Sequence, residues 1–96
     1  IIDDLIDTGG TIAMSSKVLM EKGAKSVRAI ITHPVLSGNA EENLNNSALT
    51  ELVVTDSIPL KFRNKRIKVL SIAGLIAKAI RKIHDNESTS SLFINR

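Results

Sequence analysis

The chain begins Ile1-Ile2-Asp3-Asp4-Leu5-Ile6-Asp7-Thr8-Gly9-Gly10-Thr11, and this run restricts its possible folds more than any other part. An apolar strand delivers carboxylates to a Gly-Gly turn framed by two threonines, and the turn runs into what reads as a helix. At the carboxyl edge of a parallel sheet such a loop leaves several backbone N–H groups unsatisfied, and their summed dipole attracts an anion. A strand that starts at residue 1 with no methionine also predicts a chain cut from something longer.

The remaining pattern continues the alternation. Ile12, Leu19 and Met20 with small Ser16 between them have helical spacing, and Gly23 is the expected stop. Val27 to Thr32 is a β-branched run that reads as a strand buried on both faces, ended by Pro34. A short helical stretch starts at Ser37-Gly38 around Ala40 and Leu44, with Asn45-Asn46-Ser47 as its breaker. Glu51 to Thr55 is a third strand and Ile67 to Leu70 a fourth. Ser71 is placed to cap a last helix, in which Ile72, Leu75, Ile76, Ala79, Ile80 and Ile83 mark a packing face and Lys78, Arg81 and Lys82 a wet one. Ser88 to Phe93 turns from polar to apolar and reads, on composition, as a small edge strand or frayed end. The expectation is an α/β fold with a mostly parallel sheet and right-handed crossovers, with no internal repeat or second domain.

Composition narrows the function classes. Ninety-six residues make one domain or part of one. A domain of that size buries only about 60 to 65 % of its unfolded surface, so the loss of any sheet neighbour would be felt. With 43 % hydrophobic residues and no run near the length of a membrane span, a soluble globular chain and no membrane partner are expected. The absence of cysteine removes disulfides, thiolate catalysis and thiolate-bound zinc, and fits a cytoplasmic protein. Two isolated histidines make no metal site. Lys61, Arg63, Lys65, Arg66 and Lys68 form a basic stretch, but only Phe62 accompanies them, so a solvated loop is expected and nucleic acid is not. Met14 and Met20 read as core filling, His33 as a loop residue with a satisfied ring, and His84 as a helix-end cation. His33, Ser37 and Asp56 lack the Gly-x-Ser-x-Gly elbow of a hydrolase, and nothing in their spacing assembles a triad.

The opening loop suits a phosphate group. Gly9 and Gly10 allow close backbone approach, Thr8 and Thr11 add hydroxyl donors, and Asp7 is expected to orient the loop amides or cap the helix. Asp3 and Asp4 could accept hydrogen bonds from sugar hydroxyls or hold a hydrated Mg²⁺. A Walker-type lysine is absent, which disfavours a nucleoside-triphosphate P-loop.

These residues resemble the phosphoribosyl-pyrophosphate loop of the type I phosphoribosyltransferase fold, with Asp3 and Asp4 matching the acidic pair and Asp7 to Thr11 the 5-phosphate segment. Thr32-His33-Pro34-Val35-Leu36-Ser37-Gly38, the block Glu51 to Leu60, and Ser88 to Phe93 are similar to the ribose-phosphate pyrophosphokinase family. The resemblance extends over essentially all of the chain. It implies a partial three-layer sheet of the type I phosphoribosyltransferase fold, with residues 1–96 forming the C-terminal part of the second of two similar domains.

The same resemblance implies transfer of the β,γ-diphosphoryl group of ATP to ribose 5-phosphate with Mg²⁺, in homo-oligomers that are hexamers in the family. Substrate binding would fall to Asp3, Asp4, Asp7, Thr8, Gly9, Gly10 and Thr11, with Asp3 and Asp4 also facing the metal. No catalytic residue is expected in the chain, and negligible turnover is expected of it alone. Ser88, Ser90 and Phe93 match an allosteric phosphate or ADP site, although Ser91 stands where an aromatic residue is common. The alternative is a non-catalytic synthetase-associated or phosphoribosyl-pyrophosphate-sensing subunit, because sensing and catalysis need the same phosphate loop.

Overall fold

A computed structural model describes residues 1–86. Strand β1 (Ile2–Ile6) leads through the glycine loop into helix α1 (Gly10–Glu21). Strand β2 (Val27–Pro34), helix α2 (Ala40–Asn45), strand β3 (Leu49–Thr55), strand β4 (Ile67–Leu70) and helix α3 (Ala73–His84) follow. The four strands form one sheet in the order β1-β2-β3-β4, and every neighbouring pair is parallel. The expected α/β parallel sheet is therefore present. Ser88, Ser90 and Phe93 lie outside the described residues.

Helices α1 and α2 pack against each other on one face of the sheet, the arrangement that successive crossovers of one hand produce. The core lies between that layer and the strands. Ala29 pairs with Leu52 and Ile31 with Val54, and all four are exposed by 1 % or less. Ile6, Ile12, Leu36, Ala40, Leu44 and Leu49 complete the apolar cluster. Beside it, Ser16 is the one buried polar residue among the described residues. Its hydroxyl donates to the Ala13 carbonyl at 2.6 Å and accepts the Ala48 N–H at 3.0 Å, which ties α1 to the start of β3. Gly23 stops α1 as expected: its φ of +103° lets its N–H reach the Met20 carbonyl and the Ala24 N–H reach that of Leu19.

Three expectations about packing are corrected. Strand β2 is not buried on both faces, since Val27, Ala29 and Ile31 are buried while Arg28, Ile30 and Thr32 are exposed. Among the described residues α1 and α2 cover one side of the sheet, so the alternation seen is that of a sheet covered on one face. Met14 and Met20 do not fill the core. Only Ile12 and Ser16 of α1 are buried, and Met14, Val18, Leu19 and Met20 lie on its outer surface. The apolar stripe of α3 does not pack either, and none of its residues is buried. Helical periodicity reports that a face is built to be covered, but not by what. Within the described residues there are thus two of the three expected layers, the sheet and one layer of helices.

The start of α3 is held from two sides. Ser71 Oγ accepts the Ala73 N–H at 3.3 Å, as expected, and Asp56 Oδ1 at the end of β3 accepts the Ile72 N–H at 2.9 Å. In the basic stretch, Arg66 donates through its guanidinium to the Leu44 carbonyl in the last turn of α2, where a cation suits the helix dipole. Lys68 faces Glu51 at 3.9 Å on the surface. Lys61, Arg63 and Lys65 are exposed in the loop as expected, but Phe62 packs against the core and Lys68 lies on β4 rather than in the loop.

This distribution predicts unequal responses to substitution. Leu52→Ala should cost about 2 to 5 kcal/mol of unfolding free energy through the cavity it leaves. Ile80→Ser on α3 should change stability by no more than about 0.5 kcal/mol. Urea titration followed by far-ultraviolet circular dichroism measures both, and a large loss from Ile80→Ser would show that α3 packs.

Candidate phosphate-binding site

The glycine loop sits where β1 ends and α1 begins. Gly9 occupies the N-cap position with φ +77°, a left-handed conformation that suits glycine, and its carbonyl accepts the Ala13 N–H at 2.9 Å to start the helix. No side chain caps α1, so its first amides remain available to a ligand. The loop surrounds an open cradle of about 310 Å³ lined by Asp3 and by the residues from Leu5 to Ile12. None of the residues lining the cradle is a lysine or arginine, so the positive potential its lining offers comes from backbone dipoles.

A second loop clasps the first. The Leu36 N–H donates to the Ile6 carbonyl and the Ser37 N–H to the Asp7 carbonyl, both at 3.1 Å, so two backbone bonds tie the loops together just past the strand ends. The Ser37 hydroxyl donates to Asp7 Oδ1, and Asn43 Nδ2 donates to the Thr8 carbonyl at 2.8 Å. Asp7 therefore orients the loop through Ser37, and it neither caps α1 nor bonds to the loop amides. Leu36 holds φ +50°, an unfavourable value for a branched side chain, and is nonetheless buried within this clasp.

Sequence reasoning does not join Ser37 or Asn43 to the glycine loop: it reads Ser37 as a helix start, as part of the family-like block and as a rejected triad member, and it does not single out Asn43. The available signal was topological, because the loop after the neighbouring parallel strand opens at the same sheet edge.

Asp3 and Asp4 are both exposed on β1, and Asp3 Oδ1 accepts the Asp4 N–H at 2.8 Å. Of this pair only Asp3 lines the cradle. No cluster of three or more candidate metal-binding side chains occurs among the described residues. Asp3 thus presents one hard carboxylate to the cradle, and Mg²⁺ commonly takes one or two protein carboxylates and completes its shell with water and ligand oxygens.

The remaining polar groups at the sheet edge are separated from one another. Ser37 bonds to Asp7 and Asp56 to Ile72, while His33, the penultimate residue of β2 rather than a loop residue, bonds through Nδ1 to Ser57 Oγ at 2.9 Å. His33, Ser37 and Asp56 thus form no triad. The Asp56 carboxyl lies below its ordinary pKa because the Ile72 N–H, with the Ser71 hydroxyl second, favours the charged form.

Two tests follow. Gly9→Ala should destabilise the chain by about 1 to 2 kcal/mol, since its nearest neighbour is an ordinary 3.5 Å away and only the backbone conformation is strained. Gly10→Ala, in the first turn of α1, where an added methyl group meets Asn43 and Thr8 at an ordinary 3.9 Å, should not destabilise the fold, yet that methyl group should weaken phosphate binding. Thermal melts and calorimetric titration with inorganic phosphate separate the two effects.

Because its folded-state pKa is depressed, the Asp56 cap should support α3 at neutral pH and release it as pH falls from about 4 through the lowered value. Asp56→Ala should abolish that part of the acid transition in helical ellipticity.

The known proteins most like this chain can now be set beside that geometry. The profile of the phosphoribosyl synthetase-associated domain matches residues 1–94. A unit defined in that way replaces the expected description of the chain as the C-terminal portion of a second phosphoribosyltransferase-like domain, which is withdrawn. Ribose-phosphate pyrophosphokinase of Wolinella succinogenes is 52 % identical over 94 residues, covering 98 % of this chain and 30 % of that protein. The Campylobacter jejuni protein of the same name is 54 % identical with the same coverage. The crystal structure of phosphoribosylpyrophosphate synthetase from Mycobacterium smegmatis superposes with a TM-score of 0.84 at 44 % identity, over 88 % of this chain and 29 % of that one. The chain spans about 30 % of the length of the curated relatives it matches.

Proposed function

The chain belongs to the phosphoribosyl synthetase-associated family, and from that premise we propose that it is the ribose 5-phosphate-binding part of a ribose-phosphate pyrophosphokinase. The observation that carries this reading is the clasped loop. Residues Asp7 to Thr11 enter α1 at the carboxyl edge of a parallel sheet, pinned by Ser37 and Asn43, with uncapped helix amides in front of them. A sugar phosphate suits that place, since the amides and the Thr8 and Thr11 hydroxyls donate to phosphate oxygens while Asp3 and Asp4 accept from sugar hydroxyls.

In this reading the parent enzyme moves the β,γ-diphosphoryl group of ATP to the anomeric hydroxyl of the bound sugar. The chain holds the acceptor in place, and its pinned loop keeps the phosphate end from moving during transfer. Mg²⁺ would be held near Asp3 and Asp4 and would supply charge neutralisation for the diphosphoryl group. ATP contacts, the groups that stabilise the transferring charge and assembly into oligomers belong to the parent protein, of which the chain has under a third of the length. Cytoplasmic operation is part of the same proposal. The non-catalytic alternative has less support, because the relatives at 52 % and 54 % identity are named as the enzyme.

Isothermal titration with ribose 5-phosphate tests the reading. Asp7→Ala, which removes the acceptor for Ser37, should weaken binding by about tenfold, the equivalent of one charge-assisted hydrogen bond. Equal affinities would remove the loop from the site. The 96-residue chain mixed with ATP, Mg²⁺ and ribose 5-phosphate should form no AMP above background, and a rate proportional to its concentration would show that it carries the catalytic groups itself.

A further inference from the structure

His33 lies at the carboxyl end of β2 in register with Leu5, a residue that lines the cradle. Its ring is half-buried and is built into a network of four polar groups. Thr55 Oγ1 donates to the Thr32 carbonyl at 2.7 Å, Ser57 Oγ lies 3.2 Å from the same carbonyl, and the Ser57 N–H returns to Thr55 Oγ1 at 3.2 Å. A serine hydroxyl has a single hydrogen. It can go to the Thr32 carbonyl at 3.2 Å or to His33 Nδ1 at 2.9 Å. In either case Ser57 holds the ring through Nδ1, and no described residue bonds to Nε2.

Holding the ring through one nitrogen leaves the other to a ligand at the sheet edge where ligands of such folds bind. The loop offers hydrogen-bond donors, which suit phosphate oxygens. A sugar hydroxyl both gives and accepts a hydrogen, so it can pair with Nε2 in either tautomer. We propose that His33 is a recognition residue for the sugar: its Nε2 hydrogen-bonds to a hydroxyl of the sugar phosphate bound in the cradle, and Ser57 is the positioning residue that holds the ring for this contact. The proposal rests on the ribose 5-phosphate reading above and adds a residue to that site.

The experiment uses the 96-residue chain at about pH 8, above the ordinary imidazole range. Calorimetric titrations with ribose 5-phosphate and with inorganic phosphate are compared for wild type, His33→Asn, His33→Gln and Ser57→Ala, and circular dichroism melts check folding. The Asn amide can replace Nδ1 and keep the bond to Ser57, but it has nothing at the Nε2 position. His33→Asn should therefore lose about tenfold in affinity for ribose 5-phosphate and none for phosphate. His33→Gln, whose amide reaches further, should recover part of the loss. Ser57→Ala keeps the imidazole but frees it, and should give a smaller loss that is also confined to the sugar phosphate.

Unchanged ribose 5-phosphate affinity in both His33→Asn and Ser57→Ala would overturn the proposal while leaving the phosphate loop intact. Equal losses for both ligands would also overturn it, by showing that His33 only supports the fold. A wild-type chain that binds phosphate but gains nothing from the sugar would defeat the reading on which the proposal rests, and the proposal with it.

Discussion

The tie between the loops that follow β1 and β2 is the interaction on which the shape of the glycine loop depends. The ladder stops at Pro34, which has no N–H to give, and beyond it Leu36 and Ser37 donate their backbone N–H groups to the carbonyls of Ile6 and Asp7. The register of β1 on β2 places Ala29 and Ile31 under α1 and α2 and brings His33 beside Leu5. A glycine loop alone would sample many conformations, because glycine restricts φ so little. Here the backbone bonds, Ser37 on Asp7 and Asn43 on the Thr8 carbonyl leave it one shape, and a preorganised cradle loses less entropy when an anion enters.

Among the described residues the body of the molecule is a sheet closed on one side only. Ile2, Ile30 and Val53 stand side by side across three strands on the face opposite the helices, with Ile2 and Ile30 exposed. The isoleucines of α3 are exposed as well. A chain of this size has little core to spare, and its tight packing is concentrated where β2 and β3 meet α1 and α2. The functional edge lies directly above that region, so the best-packed part of the fold supports the loops that need fixed positions.

Much of this was legible from local pattern. The strand, glycine loop and helix at the start, the stop at Gly23, the β-branched strands and the bond from the Ala73 N–H to Ser71 all follow from backbone preferences acting over a few residues, although the N-cap of α3 is Ile72. The two-sided burial expected for β2, the core role expected for Met14 and Met20 and the packed face expected for α3 did not follow, since apolar residues indicate where burial is possible and not what covers them. At the site, the loop from Asp7 to Thr11 was visible, whereas Ser37, Asn43 and Ser57 were not. Each makes its contact across 24 to 35 positions of chain, beyond the reach of any spacing argument.

By itself, then, the sequence determined a parallel α/β unit with a phosphate-type loop at its first crossover, because propensities, turn chemistry and periodicity are local and agree with one another there. Tertiary structure decided that Asp7 is held by Ser37 and that the ring of His33 is oriented by Ser57. It also decided that only one face of the sheet is covered among the described residues. These features arise when parallel strands bring distant loops to a common edge, and the hydrogen bonds that can form there depend on strand order and register, which no short stretch of residues encodes.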